Sequence, residues 1–131
     1  MIPKFRAYDS GSLSHMYQPD EVMVCDGKIW IQDEDSEANE WIVNNDLNLM
    51  QSTGLYDKEG TEVFEGDILH HQIQTEYTFI VKYDKDKGRW YGDGLSRTYR
   101  IDIAKRFLPY YYKVIGNIYE TPELLEVDNE N

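Results

Sequence analysis

The sequence predicts a mainly β fold in one compact domain, with a short helix near the C-terminus. Short runs rich in β-branched and aromatic residues recur along the chain, and Asp- and Gly-centred turn signals separate them. The length, 131 residues, suits a single domain over 1–131. The one good helix start comes late, with Thr121 as N-cap, Pro122 at the first helical position and Glu123 in the first turn.

Taken in order, Phe5–Tyr8 is the first strand, and Asp9-Ser10-Gly11-Ser12 ends it. Val22–Cys25 and Lys28–Gln32 are strands that flank Asp26-Gly27, the dipeptide that most favours a tight hairpin. Asp33–Glu40 holds five acids and no base and reads as a solvated loop. Asp57-Lys58-Glu59-Gly60 turns the chain between Met50–Tyr56 and Thr61–Phe64. Asp84–Gly88 does the same between Tyr77–Tyr83 and Arg89–Tyr91. Alternation puts Phe79, Val81 and Tyr83 on one face and Thr78, Ile80 and Lys82 on the other.

Ser96–Leu108 fits either a strand at Arg100–Ile103 or a helical turn at Ile103–Leu108, with Pro109 ending whichever forms. Tyr110–Tyr119 reads as a long strand with apolar mass on both faces, hence central or covered on both sides. Leu124 and Leu125 then pack down on the domain, and the tail 127–131 is expected to fray.

The net charge is −12, which favours solubility and repels nucleic acid and anionic membrane. The average hides an asymmetry. Residues 82–113 carry nine bases and four acids, a balance of +5, so the rest of the chain carries −17. The lone cysteine, Cys25, excludes an internal disulfide and reads as a small buried hydrophobe on its strand. No run approaches the length of a membrane helix, and the start Met1-Ile2-Pro3-Lys4 lacks the apolar core of a signal peptide. The expected place is the cytoplasm of a bacterial host cell.

Three blocks stand out: Lys4–Asp9 (KFRAYD), Leu49–Ile68 (LMQSTGLYDKEGTEVFEGDI) and Val114–Leu125 (VIGNIYETPELL). In this order they closely resemble the YopX family of phage and prophage proteins. The resemblance covers both ends and the middle, and 70–110 carries little of it. It implies a mostly β domain with a small barrel core, SH3-like or related, and a phage or prophage origin. It brings no reaction and no catalytic residues. The glycines of the blocks have architectural readings: Gly54 and Gly60 in turns, Gly66 at a bulge or corner, and Gly116 at a bend or close approach inside a strand.

No side chain assembles a recognisable catalytic, cofactor or metal motif. His70 and His71 are neighbours on a strand and point to opposite faces, so they do not chelate one ion together. Asp67 reads first as a turn residue accepting backbone N–H groups. A small hydrolase or nuclease built on Asp67 and a histidine is the remotest reading. The one binding constellation is basic and aromatic: Arg89, Trp90, Tyr91, Arg97, Tyr99, Arg100, Lys105 and Arg106, with Lys85 and Lys87 beside it.

The leading expectation is therefore a non-enzymatic phage or prophage accessory module that binds a protein partner or associates with itself. The acidic stretch 33–40 and the basic stretch 82–113 are candidate contact regions. The alternative is a barrel that stacks single-stranded nucleic acid on the aromatics of 82–113.

Overall fold

The computed structural model describes residues 3–11, 14–33, 35, 37–38, 40–95, 100–103 and 108–125. The described chain is mainly β, and its short C-terminal helix is a 3₁₀ turn at Pro122–Leu125. Two compact units divide the chain, residues 1–52 and 53–131.

The first unit begins with β1 (Phe5–Asp9) and β2 (His15–Tyr17), an antiparallel pair in which Ala7 faces Tyr17. A 3₁₀ turn at Pro19–Glu21 leads to β3 (Val22–Cys25), β4 (Lys28–Gln32) and β5 (Trp41–Val43), a sheet in the order β3-β4-β5. The Asp26-Gly27 hairpin forms as the sequence predicts. Both residues have positive φ, 54° and 71°, which is the backbone of the two-residue turn that matches strand twist. β6 (Asn48–Tyr56) pairs with the other side of β1.

The core of this unit joins Ala7, Tyr17, Val22, Ile29, Ile31 and Leu47. Cys25 is exposed, not buried. It closes the hairpin opposite Lys28 and shares the face of Met23, which points away from the core residues Val22, Ile29 and Ile31. The described residues of the acidic stretch, Asp33, Asp35, Glu37, Ala38 and Glu40, lie between β4 and β5, and Asp33 N donates to Glu40 O at 2.8 Å.

The second unit contains β7 (Glu62–Phe64), β8 (Asp67–His71), β9 (Thr78–Asp84), β10 (Arg89–Gly94), β11 (Arg100–Asp102), the helical turn α1 (Leu108–Tyr111) and β12 (Tyr112–Asn117). The sheet order is β11-β10-β9-β8-β12, and this sheet curls into a half-barrel. Its core joins Val63, Leu69, Phe79, Val81, Leu108 and Tyr112. Full burial of side chains this size contributes about 1.5–3 kcal/mol each.

Four details of this unit differ from the sequence reading. Pro109 lies inside α1 instead of ending the preceding segment. Its missing N–H costs nothing in a first turn, where that donor has no helical acceptor. The strand consequently starts at Tyr112, and Tyr110 and Tyr111 belong to the helix.

β12 is also an edge strand, not a central one. The Asp57 turn covers its outer side: Lys58 N donates to Tyr112 O at 2.9 Å, and Val114 N donates to Asp57 Oδ2 at 2.9 Å. The free edge that would otherwise recruit another strand is thereby closed at these positions.

The third difference is a bulge between Val114 and Gly116, where β12 spends one more residue than β8. It turns Ile115 outward and brings Asn117 inward, where Asn117 is buried and Ile115 exposed. Gly54 lies within β6 rather than in a loop, with φ 76°.

The terminal block is a hydrogen-bonded knot around Asn117. Its Oδ1 accepts from Tyr119 N at 3.0 Å and Glu120 N at 2.8 Å, and its Nδ2 donates to Glu120 Oε1 at 2.8 Å. Thr121 Oγ1 accepts from Asn117 N and donates to Asn117 O, both at 2.9 Å. Gly116 leaves the space that Thr121 and Leu124 occupy.

At the middle block, Gly66 has φ 87° in the two-residue turn between β7 and β8. Asp67 is buried there and accepts from Phe64 N at 2.7 Å, as a turn residue does. The glycine-rich blocks thus carry backbone geometry. Asp57 plays the same role more fully, since its Oδ1 also accepts from Glu59 N and Thr61 N, each at 2.8 Å.

Candidate binding surfaces

Of the eight residues in the basic and aromatic constellation, Arg97, Tyr99, Lys105 and Arg106 lie outside the described residues. The structure places Arg89, Trp90, Tyr91 and Arg100 on β10 and β11.

Strand pairing decides what these groups offer. Tyr91 stands opposite Lys82 and Asp102, Asp93 opposite Arg100, and Arg89 opposite Asp84. One face of the sheet therefore interleaves bases with acids. Lys82 Nζ meets Asp93 at 2.6 Å, Arg100 meets Asp84 at 2.8 Å, and Arg89 lies 3.6 Å from Asp102. The Arg100 guanidinium covers the Tyr91 ring at 3.7 Å from its centroid. Trp90 points to the other face, edge-on to Tyr83 at 4.9 Å, and packs against the core. Lys85 and Lys87 sit in the turn beyond this array.

Asp84 shows the electrostatics of the array. Desolvation would raise its carboxyl, but the Arg100 guanidinium and the N–H groups of Lys87 and Asp86 outweigh it and hold the group below its ordinary value. Tyr119 is pushed upward by burial and by the nearby Glu65 carboxylate.

His70 and His71 do not share acid–base chemistry with Asp67. His70 Nδ1 bonds with Thr78 Oγ1 at 2.9 Å, and His71 shares the Asp67 face of β8 four residues further on. At the strand rise that separation is about 13 Å, beyond the reach of shared acid–base chemistry. Among the described residues no trio of His, Cys, Asp or Glu gathers as metal ligands would.

A different surface emerges in the first unit. Met23, Trp30 and Val43 stand in register across β3, β4 and β5, so their side chains share one face. Cys25 and Trp41 extend the same face, two residues along β3 and β5. It is the face opposite the core residues Val22, Ile29 and Ile31. Met23 is 42% exposed and Val43 41%, a level at which a large apolar side chain still has surface to bury.

A hollow of about 650 Å³ adjoins Met23, lined also by Pro3, Phe5, Pro19 and Val22. The acidic loop springs from the end of this face, since Asp33 follows Gln32 and Glu40 precedes Trp41. A signal for this surface exists in the sequence. Val22-Met23-Val24-Cys25 has no polar position, so a strand with one face in the core must show apolar groups on the other.

Comparison with known proteins agrees with this architecture. The crystal structure of protein EF1440 from Enterococcus faecalis superposes with a TM-score of 0.68 at 30% identity, covering 96% of this chain and 99% of that one. The crystal structure of protein yopX from Bacillus subtilis gives a TM-score of 0.56 at 18% identity, covering 95% of this chain and 96% of that one, and shares the fold. No curated protein matches the chain. The family described as YopX protein matches residues 4–126, nearly the whole length, and the chain belongs to the YopX family.

Proposed function

We propose that this chain is a non-enzymatic binding module, a phage or prophage accessory protein working in the host cytoplasm. Its target is a protein carrying an apolar segment flanked by bases. The observation that supports this reading is the apolar row Met23, half-buried Trp30 and Val43, exposed at Met23 and Val43 and followed along the chain by the acidic stretch 33–40. Apolar side chains supply the area to be buried, and the loop supplies attraction that selects a basic partner and speeds its arrival.

Charge favours a foreign partner over a second copy. Each copy carries −12, and the bases Lys82, Arg89 and Arg100 already face acids of their own sheet. The same pairing occupies three bases of the segment on which the nucleic-acid reading rests, whose Arg97, Lys105 and Arg106 lie outside the described residues.

The test is affinity capture from bacterial host lysate, followed by titration of the purified captured protein. Met23→Glu with Val43→Glu should weaken binding by about 100-fold, in the range of a lost interface hot spot. Added salt should weaken the wild-type complex. A captured protein held equally by the double variant would overturn the proposal, as would the absence of any capture.

A further inference from the structure

β5 is the last strand of the sheet β3-β4-β5, and its outer edge is open. Register fixes what that edge offers. Asp33 N donates to Glu40 O and Asn44 N donates to Ile29 O, on either side of the paired residues Ile31 and Ile42. Hydrogen-bonded pairs alternate along an antiparallel ladder, so Ile42 spends its backbone groups on β4, and Trp41 and Val43 turn theirs outward. Two N–H and two C=O groups therefore line the edge, and among the described residues nothing bonds to them.

The sequence leaves this edge unprotected. Trp41, Ile42 and Val43 include no charge and no proline, devices that ordinarily keep an edge from pairing. β12, by contrast, has its outer side covered by the Asp57 turn. Ile42 lies on the core face at the sheet margin and is still 42% exposed. Val43 is 41% exposed on the other face, at the end of the row Met23, Trp30 and Val43. Charge divides the two ends of the edge. Beyond Trp41 come Glu40 and its neighbour Asp33, with Asp35 and Glu37 exposed in the loop, whereas beyond Val43 come Asn44, Asn45 and the single acid Asp46.

We infer that the partner binds by adding an antiparallel strand to β5, through three apolar residues followed by bases. This deepens the binding reading above and rests on it. Antiparallel addition continues the pairing sense of β3, β4 and β5 and is the more stable one. The first and third residues of the segment exchange hydrogen bonds with Val43 and Trp41, and their side chains extend the apolar row. The middle residue covers Ile42. The bases, C-terminal to the triplet, run past Trp41 to the acids.

The probe is the capped peptide Thr-Val-Ile-Val-Lys-Arg-Lys, titrated into the full-length protein at low salt while amide signals are followed by NMR. It should give saturable shifts in β5 and slow the exchange of the backbone N–H groups of Trp41 and Val43. N-methylation of both valines removes the donors to Val43 O and Trp41 O and should weaken binding about 30-fold, the loss of two hydrogen bonds. N-methylation of the isoleucine, whose N–H faces away from β5, should change it by less than about threefold. Moving the bases to the N-terminal side of the triplet should weaken binding about tenfold. No saturable shift at about 1 mM, or equal binding after valine methylation, would overturn strand addition. The capture test with the Met23 and Val43 variants then decides separately whether the binding reading stands. Protection of the Trp41 and Val43 amides that rises with protein concentration in the free chain would place a second copy on the edge and also overturn the proposal.

Discussion

Replacing Gly116 with Ala tests whether the terminal block is scaffolding. A Cβ at this position would collide with Thr121 Oγ1 and come within 2.9 Å of Leu124 Cδ1 and 3.0 Å of Thr121 Cβ. Thr121 Oγ1 has no free direction of retreat, because it accepts from Asn117 N and donates to Asn117 O at 2.9 Å each. Moving it sacrifices two hydrogen bonds worth about 1 kcal/mol apiece. Residual overpacking against Leu124, met at the end of a flexible side chain, adds about 1–2 kcal/mol, the lower part of the usual range. The expected loss is about 3–4 kcal/mol in urea unfolding followed by far-ultraviolet circular dichroism.

A double-mutant cycle sharpens the test. Thr121→Ala removes the obstructing oxygen, so Gly116→Ala in that background should cost about 1 kcal/mol, leaving a coupling near 2 kcal/mol. A loss below about 0.5 kcal/mol for Gly116→Ala alone, or strict additivity with Thr121→Ala, would refute the reasoning.

Further outcomes follow from other groups. Asp57→Ala strands three backbone donors, Glu59 N, Thr61 N and Val114 N, and should destabilise by about 3–5 kcal/mol, read in the same unfolding assay. Asp84 is held below its ordinary value of 3.8, so its contribution is complete above that value and is lost as pH falls through the lower folded one. Carboxyl NMR titration should show its midpoint rising in Arg100→Ala, and an unmoved midpoint would speak against the pairing. Tyr119 is raised above 10.0, so its contribution is complete below that value and fades as pH climbs through the higher folded one. In an NMR titration that resolves Tyr119, Glu65→Gln should bring its midpoint down.

What the sequence made legible was local chemistry. Asp26-Gly27 predicts its hairpin because only residues tolerant of positive φ fit both turn positions, and the structure places them there. Alternation put Phe79 and Val81 on one face, and the structure buries both, because strand side chains alternate whatever the tertiary context.

Features that depend on distant partners were not legible. Pro109 reads as a stop, yet it opens a helical turn, and only the fold decides on which side of a proline the turn lies. The bulge at Ile115 reverses the faces of the residues after it, and no residue type announces it. The balance of +5 over 82–113 does not say along the chain whether its bases gather or pair with acids. Cross-strand register set Asp84, Asp93 and Asp102 among three of those bases. Cys25 reads as buried and is exposed, because composition does not say which face of a strand is inward. Asp57 carried the signature of a turn, but its bond to Val114 spans 57 positions and needs the fold.

Hydrogen exchange on the purified complex addresses the binding reading most directly. The account predicts that a captured partner slows exchange of the amides in 22–43, across β3, the acidic loop and β5, and leaves β9 and β10 unchanged. Slowed exchange confined to 78–94, with 22–43 exchanging as in the free chain, would contradict it.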